Sequence, residues 1–142
     1  MKVLFTCGGT AGHINPAVAL AGMFRQRQNA EVLFVGADGG METTLVPREG
    51  YPVKTVTITS FHRSFSGAAI KHNLTTLKNL SRSRGQARAI LDEFQPDLVV
   101  GTGGYASYPV VREAARRGIP TAVHESNAEP GLTTKMLAKY VD

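Results

Sequence analysis

Apolar positions along the chain follow two rhythms, and the rhythms alternate. Lys2-Val3-Leu4-Phe5-Thr6-Cys7 is a short, nearly continuous apolar run, the pattern of a strand buried on both faces of a parallel sheet. Glu31–Gly36, Val53–Ile58, Leu98–Gly101 and Thr121–Glu125 repeat it. Between these runs the spacing turns helical. An Ala/Leu-rich segment opens near Pro16, Met41–Glu49 is a short helix, and Pro109–Arg117 and Leu132–Tyr140 are two more. The longest is Ala68–Phe94, where Ile70, Leu74, Leu77 and Leu80 or Ser81 share a face, followed by Ala87, Ile90, Leu91 and Phe94; Gly85 is a point where it kinks or divides. Phe61–Gly67 reads as a loop. Strands separated by helices imply right-handed crossovers, hence a doubly wound, Rossmann-like parallel α/β sheet forming one domain over residues 1–142. Ligands of such sheets bind beyond the carboxyl ends of the strands. The loops after the first, fourth and fifth strands should therefore converge on one rim.

Those three loops carry the polar chemistry. Gly8-Gly9-Thr10-Ala11-Gly12-His13 joins the first strand to a helix N-terminus, where free N–H groups and the positive dipole end favour an anion. It has neither the G-x-G-x-x-G spacing of a dinucleotide site nor the Gly-Lys-Ser/Thr of a P-loop, and the second strand ends in Gly36 rather than in an acidic ribose ligand. A nicotinamide enzyme is thereby disfavoured. His13 lies in the first turn of the helix, where the dipole disfavours the imidazolium; a neutral imidazole there is placed to accept a proton, or else merely packs against the loop. Gly103-Gly104-Tyr105-Ala106-Ser107 is a second small-residue loop whose amides and two hydroxyls suit a phosphate or sugar. His124-Glu125-Ser126-Asn127 sets four polar groups at a strand end. Glu125 and Asn127 are suited to fixing sugar hydroxyls, or to capping the last helix.

Net charge is +5, and the excess is uneven. Arg63, Lys71, Lys78, Arg82, Arg84 and Arg88 lie between Phe61 and Leu91 with no acid before Asp92. One reading is a solvated basic helix face; the other is a membrane-surface element, with Phe61, Phe65, Ile70, Leu74 and Leu77 interleaved among the cations and docking on anionic lipid. Nucleic acid is disfavoured, since no nucleic-acid motif occurs and the basic stretch holds few aromatics. No apolar run approaches the ~18 residues of a spanning helix, and the N-terminus lacks a signal-peptide pattern. The single Cys7 excludes an intrachain disulfide and fits a reducing cytosol. No Cys/His cluster calls for a metal, and no cofactor is implied.

The order of motifs resembles a known family. Gly8–His13 with Pro16, Gly40-Met41-Glu42 with Leu45-Val46-Pro47, Pro96–Gly101 followed by Gly103-Gly104-Tyr105, and Gly118-Ile119-Pro120 through His124-Glu125-Ser126-Asn127 to Gly131-Leu132-Thr133 are similar to the N-terminal half of the MurG-type transferases of peptidoglycan synthesis. The resemblance covers nearly the whole chain. It implies a GT-B architecture, two Rossmann-like domains facing across a cleft, and an inverting, metal-independent transfer of N-acetylglucosamine. The donor is UDP-N-acetylglucosamine and the acceptor undecaprenyl-pyrophosphoryl-N-acetylmuramyl-pentapeptide. It places Thr10, Ala11, Gly12 and Asn127 on the donor-sugar side of the cleft and His13 as general base. Gly8, Gly9, Gly103 and Gly104 fall at the acceptor pyrophosphate, with Tyr105, Ser107 and Glu125 beside them. Ala11 stands where the family usually has Gly, and Ser126 where it usually has Gln.

The resemblance also implies a peripheral enzyme on the cytoplasmic face of the cell membrane, its anionic surface met by Phe61, Phe65, Lys71, Leu74, Lys78 and Arg82. The C-terminal donor domain is expected to lie outside this chain, so the chain alone should transfer negligibly. Two other readings stay open: a non-catalytic anion- or lipid-binding subunit of a two-chain glycosyltransferase, and a GT-B enzyme with a different glycolipid acceptor.

Overall fold

The apolar runs form five parallel strands, β1 (Lys2–Cys7), β2 (Glu31–Ala37), β3 (Val53–Val56), β4 (Leu98–Gly103) and β5 (Thr121–Val123), joined in one sheet of order β3-β2-β1-β4-β5. The helical runs become α1 (Ala11–Gln28), α2 (Glu42–Arg48), α3 (Gly67–Phe94), α4 (Ser107–Arg116) and α5 (Leu132–Leu137). The computed structural model describes residues 1–58 and 67–142, without the side chains of residues 67–77 and 79. The expected loop at Phe61–Gly67 and the apolar positions Ile70, Leu74 and Leu77 thus lie largely outside the described residues.

Alternation along the strands divides the core into two layers. Val3, Phe5 and Cys7 face α1 and α2, packing with Ile14, Ala17, Ala21, Phe34, Val46 and Tyr51. Phe5 stacks on Phe34 at 5.5 Å between ring centroids, and Phe34 lies 5.2 Å from Tyr51. Leu4, Val35 and Val99 face the other way, onto Ala87, Leu91, Val110, Val111 and Leu137 of α3, α4 and α5. Ala87, Ile90 and Leu91 are buried and Phe94 packs against them, as the helical period predicts. Both faces of the sheet are covered, which is why these strands read as apolar runs rather than alternating ones.

The chain winds outward from β1 to β3, then crosses over to β4 on the other side of β1. The sheet therefore switches direction between β1 and β4, where a crevice opens at the carboxyl ends. The register between these two strands slips at Thr6/Cys7, with Thr6 opposite Gly101 and Cys7 opposite Gly103. Thr102 is the extra residue of this bulge, and bulges re-aim side chains beside sites.

Element boundaries differ from the sequence expectation, and four of the differences have a physical reason. α1 begins at Ala11, well before Pro16, which sits inside the helix. A proline has no N–H to give to the carbonyl four residues back; the Ser126 hydroxyl donates to that Gly12 carbonyl instead, at 3.1 Å. α3 runs unbroken through Gly85. β5 stops at Val123 because the next residues turn back, with the Asn127 amide donating to the Glu125 carboxylate. The last helix ends at Leu137, after which the Tyr140 amide bonds back to Leu137 in a tighter turn.

Gly101 lets α4 approach the sheet at the crevice. A Cβ there would lie 2.9 Å from Cγ2 of Val111 and 3.5 Å from Cβ of Ser107. Gly101→Ala should destabilise the fold by roughly 1–3 kcal/mol through overpacking, read as a lower urea midpoint at unchanged slope.

Candidate active site

Three loops meet at the switch point, and glycines set how closely they meet. Gly9 takes φ +87° between β1 and α1, and Gly103 and Gly104 take +121° and +91° after β4. All three occupy the left-handed region that a side chain strains to adopt. Close approach adds a second reason at the β4 loop. A Cβ on Gly104 would strike the backbone of Gly8, and one on Gly103 would lie 2.8 Å from Nε2 of His13. The two glycine loops expected to share a rim are thus in direct van der Waals contact.

His13 stands at the centre of that contact. Its Nδ1 lies 2.8 Å from the Gly8 carbonyl oxygen. A carbonyl only accepts, so Nδ1 is the protonated nitrogen, and in the neutral imidazole the lone pair is on Nε2. The hydroxyl of Thr102, in the bulge, donates to the backbone carbonyl of His13 at 2.6 Å. The base of the imidazole is therefore held from β1 and its main chain from β4. Sequence reasoning did not single out Thr102, because the bulge that aims it becomes visible only when the two strands are paired.

A cavity of about 220 Å³ opens at this point, lined by His13, Gly103, Gly104, Tyr105, Glu125, Asn127 and the Gly131–Thr134 segment. Glu125 is the anchor of its far wall. Its Oε1 accepts from the backbone and side-chain amides of Asn127, both at 3.0 Å; its Oε2 accepts from the Gly131 amide and the Thr134 hydroxyl, both at 2.8 Å. These bonds, led by those to Gly131 and Asn127, hold its carboxyl at about 2, well below the usual carboxylate range. Four donors fill the lone-pair sites of the carboxylate. Glu125 thus ties the β5–α5 segment together and fixes Asn127, which lines the cavity.

Thr10, Ala11 and Gly12 are exposed at the start of α1, with amides of the first turn that no helical carbonyl can satisfy. Ala11, where a glycine was the family norm, is helical and needs no positive φ; among the described residues only Asn29 and Gln95 adopt one without being glycine. Gly8 is buried and reaches the site only through its carbonyl. Tyr105 is exposed at the rim. Ser107 corrects the sequence expectation: it is buried, and its hydroxyl lies 3.0 and 2.9 Å from the carbonyls of Thr6 and Gly103. It braces the bulge and does not reach the cavity.

Two acidic residues were not read as site components, and each does more than its sequence neighbours indicate. Glu42 is buried beneath the first glycine loop, its carboxylate 2.7 Å from the Ala37 amide and 3.4 Å from the Gly9 amide. Burial, reinforced by that carboxylate, pushes the Cys7 thiol up to about 12, so Cys7 stays protonated in the core. Glu113 on α4 gathers arginines: Arg84, Arg88, Arg116 and Arg117 lie 3.4–3.7 Å from its oxygens. Two cations of the basic stretch thus face an acid from α4, while Lys78 and Arg82 stay exposed. Phe61 and Phe65, and the side chains of Lys71 and Leu74, lie outside the described residues. Among the described residues no cluster of His, Cys, Asp and Glu is arranged to hold a metal. A larger depression of about 440 Å³ lies at the opposite end of the sheet, where Lys54 pairs with Glu93 at 2.7 Å.

Known proteins share this arrangement. The curated UDP-N-acetylglucosamine–N-acetylmuramyl-(pentapeptide) pyrophosphoryl-undecaprenol N-acetylglucosamine transferase of Ruminiclostridium cellulolyticum is 49% identical over 142 residues, which is 99% of this chain and 38% of that protein. The enzyme of the same name from Thermoanaerobacter sp. is 48% identical over 145 residues, again covering 38% of its length. The chain thus spans about two fifths of the relatives it matches. The crystal structure of Acinetobacter baumannii MurG superposes with a TM-score of 0.84 at 25% identity, over 99% of this chain and 40% of that one. The glycosyltransferase SsfS6 of Streptomyces sp. SF2575, at 21% identity and a TM-score of 0.67, shares the fold. The model of the glycosyltransferase family 28 N-terminal domain matches residues 3–142. A parallel sheet with its polar loops at the switch point, and these likenesses over the whole chain, lead to one assignment: the chain belongs to glycosyltransferase family 28, as an N-terminal domain of the GT-B type.

Proposed function

We propose that this chain is the acceptor-side half of an inverting, metal-independent N-acetylglucosaminyltransferase. The complete enzyme takes UDP-N-acetylglucosamine as donor and undecaprenyl-pyrophosphoryl-N-acetylmuramyl-pentapeptide as acceptor. The observation that carries the reading is His13, its Nδ1 held by the Gly8 carbonyl and its ring lining a cavity together with the Gly103-Gly104 loop and Asn127. The relatives' printed names supply the substrate class.

In this reading the acceptor 4-hydroxyl attacks the anomeric carbon of the donor sugar from the face opposite UDP. The new carbon–oxygen bond forms as the bond to the UDP phosphate oxygen breaks, and that electron pair leaves with UDP. The hydroxyl proton passes to Nε2 of His13, giving an imidazolium. The Gly8-Gly9 and Gly103-Gly104 loops lie at the acceptor pyrophosphate, close to the positive dipole end of α1, and Ala11 and Gly12 in its first turn lie on the donor-sugar side. Thr10 and Asn127 approach the donor sugar, Tyr105 stands at the rim beside the acceptor, and Glu125 acts by holding Asn127. A separate C-terminal domain binds most of the nucleotide, so the chain by itself transfers negligibly.

The acceptor's lipid keeps it in the bilayer, so the enzyme works at the cytoplasmic membrane surface. Among the described residues no helix is long and apolar enough to cross a membrane. Lys78 and Arg82 are exposed on α3, and each such cation near an anionic leaflet contributes about 1 kcal/mol.

Three outcomes follow for the bench. In the two-domain enzyme His13→Ala should lower turnover by ~10²–10⁴ with the circular dichroism spectrum intact; near-normal turnover would sink the base assignment. For the Glu125 clamp the pH sign is that of a depressed carboxylate: the clamp is complete above 4.5, the ordinary value, and is lost as pH falls through about 2. The NMR amide shift of Gly131 should accordingly hold through pH 4.5 and move with a midpoint near 2, and in Glu125→Gln it should start displaced. Finally, vesicles containing anionic lipid should pull the protein down at low salt and less at high salt. Reversing Lys71, Lys78 and Arg82 to Glu should weaken that association; binding indifferent to both changes would leave α3 an ordinary solvated helix.

A further inference from the structure

Glu42 is buried with 1% exposure and makes no salt bridge among the described residues. A lone carboxylate in such a place is costly unless hydrogen bonds compensate it. The surrounding chain is built to hold it. Gly8, Gly36 and Gly40, from three separate segments, each leave the space into which a Cβ would drive against the Glu42 side chain. Its Oε1 accepts from Ala37 at 2.7 Å and its Oε2 from Gly9 at 3.4 Å.

The Gly9 amide and the Gly8 carbonyl belong to the same peptide group. That unit is planar and trans, with N–H and C=O on opposite edges. Glu42 holds one edge; the other receives the Nδ1–H of His13 at 2.8 Å. Gly104 packs on the Gly8 backbone and Gly103 against the imidazole, so the unit is fixed from the β4 side as well. Rotating this peptide would break both bonds together. We propose that Glu42 is a positioning residue for His13: acting through the Gly8–Gly9 peptide, it fixes the Nδ1-protonated tautomer and aims Nε2 at the cavity. A carboxylate on the N–H edge also polarises the peptide, which makes its carbonyl a better acceptor for Nδ1–H. The arrangement does for His13 what a directly bonded carboxylate does in a Ser-His-Asp triad, with one peptide group interposed. Its catalytic consequence rests on the reading of His13 as the base.

Glu42→Gln keeps the shape that the three glycines surround, but turns one oxygen into an NH2 that cannot accept from a peptide N–H. The tautomer is read directly by NMR of the chain with ¹⁵N-labelled histidine. In the wild type His13 should be protonated on Nδ1 alone, and in Glu42→Gln the two tautomers should mix. A wild-type His13 protonated on Nε2, or a tautomer that the substitution leaves untouched, overturns the proposal. In the two-domain enzyme Glu42→Gln should lower kcat by roughly 10- to 100-fold, the range for outer partners of a working histidine, with KM for both substrates unchanged. The same substitution in a His13→Ala background should cost nothing further; an equal loss in both backgrounds overturns it. If His13→Ala alone retains turnover, the base assignment fails, and the tautomer measurement still decides whether Glu42 sets the imidazole.

Discussion

The whole site depends on how closely the loops after β1 and β4 approach each other. Gly104 lies against the backbone of Gly8, and Gly103 against the ring of His13, at separations that exclude a side chain. That approach is possible because β1 and β4 are adjacent parallel strands, and because a bulge at Thr102 offsets them by one residue at their ends. The hydroxyls of Thr102 and Ser107 then stitch the two loops to carbonyls on either side of the bulge. The cavity is thus a product of backbone contact, with His13 and Asn127 among the polar side chains that line it.

Much of this was legible in the sequence, for a definite reason. A sheet covered on both faces prints its strands as apolar runs, so β1, β2 and β4 and the rim they share could be read directly. The place of His13 on the rim was legible too, since it stands on a glycine loop at a helix start. The misreadings share one cause. Ser107 looked like a ligand hydroxyl because its neighbours are glycines; its burial follows from α4 starting at Ser107 itself and pressing on Gly101. Glu125 read equally as a sugar contact or as a cap of the last helix, since its partners Gly131 and Thr134 come from beyond the turn. Glu42 stood in a family motif but gave no sign of a place at the site, because the three glycines that make room for it are scattered from Gly8 to Gly40. Contacts between distant segments leave no periodic trace.

Charge is handled by the same logic of local satisfaction. Glu113, mostly buried on α4, sits amid four arginines from α3 and α4. Arg117 also reaches Asp92 at 2.6 Å. Exposed pairs of this kind contribute little singly, but around one shielded carboxylate they fasten the two helices where α3 returns to the sheet. Among the described residues Arg84 and Arg88 of α3 are thus paired with an acid, while Lys78 and Arg82 are exposed to solvent.

Pro16 has an effect that reaches beyond its own helix. By withholding an N–H it leaves the Gly12 carbonyl unclaimed within α1, and the Ser126 hydroxyl occupies that carbonyl. The first turn of α1 is thereby moored to the segment after β5, across the mouth of the cavity. The wall bearing His13 and the wall bearing Asn127 are joined by a strut that neither regular helix nor sheet supplies. To widen the opening by moving either segment alone, this hydrogen bond has to be broken. A missing backbone donor in one element has become a mechanical linkage between two.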